Sequence, residues 1–94
     1  MSDFRWIPVT EMLPKDFEEV IITCVIENVE RYDGDIEDKK FSGAAVFYKS
    51  KWYWYSNVTL HILMIRGEYK DMLVDNAIKI TAWMPLPEPY KERD

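Results

Sequence analysis

The nine residues "EEVIITCVI", positions 18–26, constrain the fold more than any other stretch. Read as a strand, they place Val20, Ile22, Cys24 and Ile26 on one side and Ile21, Thr23 and Val25 on the other. A strand apolar on both faces belongs in the middle of a sheet, covered twice. At 94 residues the chain has length for one core only, so positions 1–94 form a single domain around this strand, with 91–94 as a solvated tail.

The rest of the chain offers partners for it. "SGAAVFYKSKWYWYSN" reads as a β-hairpin, two β-favouring runs around a short polar "KSK". "IKITAW" is a half-exposed strand, with Ile78, Ile80 and Ala82 set against Lys79 and Thr81. "VTLHILMI" fits either period, and its β-branched residues favour a strand over Val58–Ile65. "GEYKDMLVDNA" after Gly67 suggests a helical turn or two. The expected fold is mainly β: a small antiparallel sheet or half-barrel of four or five strands, with a short helical insertion and a polyproline-like C-terminal tail.

Charge narrows the function classes. Twelve basic and seventeen acidic residues leave a net charge of -5, which argues against direct nucleic-acid binding, because phosphate contacts need Lys and Arg. Apolar stretches such as "LHILMI" are far too short to span a bilayer. The single cysteine, Cys24, cannot form an internal disulfide, and "MSDFRWIPVT" has no charged-then-apolar leader. Both features lead to the expectation of a cytoplasmic protein.

No constellation supports catalysis. Asp33, Asp35 and Glu37 alternate like the first ligands of a calcium loop, but Asp38 stands where its glycine belongs, and Ala44 where its bidentate glutamate belongs. His61 is the only histidine, so a zinc site would rest on carboxylates. A Cys24–His61 pair needs a reactive thiol, and a mid-strand cysteine in apolar surroundings is inert. The three glycines lie too far apart for a phosphate loop. No catalytic residue, metal ligand or cofactor is assigned, and the chain is read as a non-enzyme.

"KWYWY" carries large rings on both faces, Trp52 and Trp54 on one and Tyr53 and Tyr55 on the other. The tryptophans suit the core. The tyrosine face, with Lys49 and Lys51 at its rim, is the candidate surface for a homodimer, a protein partner or a planar ligand.

The chain's ends echo each other, "WIPV…LP" against "WMPLPEPY". Pro85, Pro87 and Pro89 alternate without the P-x-x-P spacing of an SH3 ligand. They suit a stiff intramolecular clasp, in which Trp6 and Trp83 pack together and Pro85 and Pro87 hold the tail extended. These residues also resemble the "domain of unknown function 551" family of small phage and prophage proteins. The likeness rests on Trp6, Ile7, Val9, Leu13 and Pro14 at one end, and on Thr81, Trp83, Met84, Pro85, Leu86, Pro87, Glu88 and Pro89 at the other. Ala82 stands where such members carry a histidine, and the segment 58–77 is longer than the family pattern. The resemblance implies a phage origin, a cytoplasmic setting and no known reaction. The expected role is therefore a phage accessory module engaging a host protein. The alternative is a nucleotide-like ligand binder, or sponge, acting against host signalling.

Overall fold

The structure is a computed structural model that describes residues 5–26, 30–31, 34–35 and 39–87. Its centre is the expected strand, β2 (Glu18–Ile26), hydrogen-bonded along both edges. Around it lie β1 (Ile7–Pro8), β5 (Lys39–Tyr48), β6 (Lys51–Trp54) and β7 (Ile78–Pro85), in the antiparallel order β1-β7-β2-β5-β6. Two short strands, β3 (Glu30–Arg31) and β4 (Gly34–Asp35), pair with each other in the acidic loop. The side chains of that loop, and the tail from 88 onward with Pro89, lie outside the described residues.

The hairpin joining β5 to β6 turns on two residues. Lys49 and Ser50 both take positive φ, 47° and 66°, the backbone hand that matches the twist of paired strands. Neither is a glycine, so the turn needs outside support. The Lys49 backbone N–H donates to Asp16 Oδ1 at 3.0 Å.

The segment expected as a strand over Val58–Ile65 is instead a helix, α1 (Thr59–Arg66). Its apolar residues are compatible with both periods, and three local bonds decide the matter. Thr59 is fully buried, and its hydroxyl donates to the Trp54 carbonyl at 2.9 Å while sharing a 2.7 Å bond with Ser56 Oγ. At the far end Gly67, at φ 78°, returns its N–H to the Leu63 carbonyl at 2.8 Å, a left-handed stop that glycine adopts without steric cost. A single 3-10 turn, Lys70–Met72, follows.

The two faces of the sheet are covered differently. On one, Val20, Ile22, Cys24, Ala45 and Trp83 form a buried cluster, with Trp52, Trp54, Ile78 and Ile80 packed against it. Trp54 lies so close over β5 that a Cβ on Gly43 would come within 3.0 Å of its ring. On the other face Val46 and Tyr53 meet Leu63 of α1, flanked by Phe17 and Tyr48 stacked 4.4 Å apart.

A register shift between Thr23 and Cys24 corrects the simple alternation expected along β7. Cys24 opposes Ile80, yet Thr23 opposes Ala82 and Ile22 opposes Trp83. Directly opposed residues share a face. The bulge therefore brings Trp83 to the same side as Ile78 and Ile80, and sends Ala82 to the other.

The tryptophan face is concave, and a short crossing requires it. Val74 donates its N–H to the Trp52 carbonyl at 3.0 Å, so Val74 lies along the free edge of β6. Ile78, four residues on, is in β7, on the far side of β2 and β5. In a flat sheet the two would be roughly 19 Å apart, four strand spacings. The Ile78 N–H bonds the Asp75 carbonyl at 2.9 Å, closing a β-turn whose ends are less than about 7 Å apart. The sheet must curl to let the chain cross, giving an open half-barrel with the tryptophans inside.

Candidate functional site

The curl leaves a cavity of about 300 Å³ at the mouth of the half-barrel. Trp52 lines it from β6, Ile78 and Ile80 from β7, and Val74 from the crossing. The Trp52 ring meets Phe47 edge-on, with centroids 4.7 Å apart, so it is held in place rather than free to fill the space. Ser50, Asp75 and Asn76 form the polar rim. Asp75 is fixed twice: its carbonyl caps the turn, and its Oδ1 accepts the Ala77 N–H at 2.8 Å.

A second surface lies on the outer side of α1. Thr59 and Leu63 point into the protein, while His61 is exposed on the opposite side. At helical spacing Val58, Met64 and Ile65 flank His61, and they are 46%, 59% and 67% exposed. Beyond Gly67 a hollow of about 300 Å³ is lined by Arg66, Glu68, Tyr69, Lys70 and Asp71.

The residues singled out from sequence are separated by this fold. Lys49 and Lys51 are exposed at the hairpin, and Lys49 Nζ lies 5.3 Å from the Tyr48 ring centroid. Tyr55 is 41% exposed, but Tyr53 is buried at 4% beneath α1, so the tyrosines do not form one open platform. Burial, and then the nearby Glu68 carboxylate and Tyr48, push the Tyr53 phenol above its usual range. The eight residues of α1 cover the β5–β6 half of this face.

At the other candidate, Trp83 is buried and its Nε1–H donates to the Met12 carbonyl at 2.8 Å. Ile7, not Trp6, opposes Trp83, and Trp6 is 39% exposed; the packed Trp6–Trp83 pair is thereby corrected. Pro85 ends β7 and Pro87 follows it on the surface.

The pairing of β1 with β7 fits the likeness of the two ends to a known family. A family model described as "Protein of unknown function (DUF551)" matches residues 5–91. The chain belongs to that family. No curated protein and no solved structure matches it.

In this DUF551 member Cys24 and His61 lie on opposite sides of the sheet, Cys24 in the tryptophan core and His61 on the outside of α1. Burial raises the Cys24 thiol pKa, which keeps it protonated. Among the described residues no group of three or more His, Cys, Asp or Glu could hold a metal ion. No helix there is long and apolar enough to cross a membrane. Of the two candidate surfaces, the cavity has no signal in the sequence, whereas the outer side of α1 lies in the segment 58–69, the surface the sequence puts second to the tyrosine face. The first depends on the crossing from Val74 to Ile78, which no local pattern announces. For the second, a strand over 58–65 gives a different set of outward residues from the helix, which turns Val58, His61, Met64 and Ile65 to one side.

Proposed function

We propose that this protein is a non-enzymatic binding module, a phage or prophage accessory domain that engages a host protein through the outer side of α1. The observation that carries this is the exposed apolar stripe of Val58, Met64 and Ile65 on a helix already seated by Thr59 and Leu63. A surface helix needs one apolar side for its own core, and a second is free for a partner. The partner we favour presents an apolar patch and carries net positive charge, because this chain carries a net charge of -5; beside the helix itself Arg66 and Lys70 balance Glu68 and Asp71. Self-association would instead bring together two chains that each carry a net charge of -5. The nucleotide-like alternative loses its stacking platform with Tyr53 buried.

A Val58→Asp/Ile65→Glu variant tests the reading. Both positions are exposed, and the helix dipole favours the acid at the start of α1 and disfavours the one in its last turn by similar amounts, about 0.3–1 kcal/mol each, so the fold should survive. A host protein captured by the wild type and bound again in purified form should fail to bind the variant. Retained binding would overturn the assignment. A wild-type dimer made monomeric by the same changes would replace the host protein with a second copy.

A further inference from the structure

We propose that the half-barrel cavity binds a small organic cation, a primary ammonium or guanidinium group on a short apolar stem. The site is separate from the helix surface and does not depend on it. Its floor is apolar, with Trp52, Val74, Ile78 and Ile80, and a volume of about 300 Å³ sits at the small end of ligand sites. The charged group fixed at its rim is Asp75, held in position by the Ala77 N–H and by the turn to Ile78. That N–H occupies Oδ1 and leaves Oδ2 for a ligand. Asn76 and Ser50 add polar groups able to accept from further N–H donors.

A carboxylate on the rim of an apolar cavity selects a positive charge directly, and a cation that reaches the face of the Trp52 indole would gain from its negative π-face as well. The cation lining the cavity, Lys51, does not cancel this. It opposes Tyr48 across the hairpin and alternates with Trp52, so its side chain leaves the strand on the helix side of the sheet. The stem of the ligand would then lie along Ile78 and Ile80, with its head at Asp75.

The test is a titration with n-butylguanidinium chloride, followed at the Trp52 indole N–H resonance, which is assigned through its contact with Phe47. The expected result is a saturable shift with half-saturation near about 1 mM, the scale for so small a ligand. Pentanoate, of the same shape class and opposite charge, should leave the resonance unmoved. Asp75→Asn keeps an acceptor for the Ala77 N–H and removes only the charge, and it should weaken binding at least tenfold. No saturable shift with the cation, equal binding of pentanoate, or unchanged affinity in Asp75→Asn would each overturn the proposal.

Discussion

The chain's two Trp-x-Pro segments share a local sequence and meet opposite fates. Trp83 is 4% exposed, with its indole N–H bonded to Met12. Trp6 is 39% exposed and belongs to neither core cluster. The cause is register. Ile7 opposes Trp83 and joins the tryptophan face, so Trp6, one residue earlier, must face the other way. Similar letters at the two ends do not make a symmetric pair.

The largest test of this contrast is Trp83→Ala. Removing a buried indole from the centre of the main cluster should cost on the order of 3–5 kcal/mol, a large share of a small domain's stability. Chemical denaturation would measure it. A loss below about 1 kcal/mol would mean that β7 is held by its ladder alone, and the contrast would collapse.

Trp6→Ala should cost far less, no more than about 2 kcal/mol, because much of that ring already faces water. A cost equal to that of Trp83→Ala would restore the mutual clasp that the register denies. Gly43→Ala is expected between these, at about 1–3 kcal/mol, since its new methyl meets the Trp54 ring at 3.0 Å and one of them must move. A neutral Gly43→Ala would show that the tryptophan side of the sheet repacks freely, which would also weaken the case for a preformed cavity.

Much of the fold was legible because its strands carry strong patterns. β2 announced its central place through apolar residues on both sides, and the hairpin through two aromatic runs around a short polar turn. What failed were features settled by single contacts. Thr59 and Gly67 decided that the ambiguous apolar run is a helix. One bulged residue in β7 moved Ala82 off the face expected for it. The candidate sites fared worse for the same reason. Tyr53 and Tyr55 alternate as expected, but only the placement of α1 determines which is accessible.

That second contrast has a smaller and more specific consequence. Tyr53 lies beneath α1, and burial, followed by the Glu68 and Tyr48 charges, raises its phenol pKa above the ordinary value near 10. In the folded protein it keeps its proton where the unfolded chain has already lost it. Stability present below pH ~10 should therefore fall as the pH rises through the folded-state value. Tyr53→Phe removes the titrating group and should flatten the alkaline limb of the stability curve. Glu68→Gln, which leaves the burial and takes away the nearby carboxylate, should flatten it only in part. Denaturation midpoints measured across that range would decide. If the wild type and Tyr53→Phe lose stability in parallel above pH ~10, Tyr53 is already open to water, and α1 does not seal this half of the sheet.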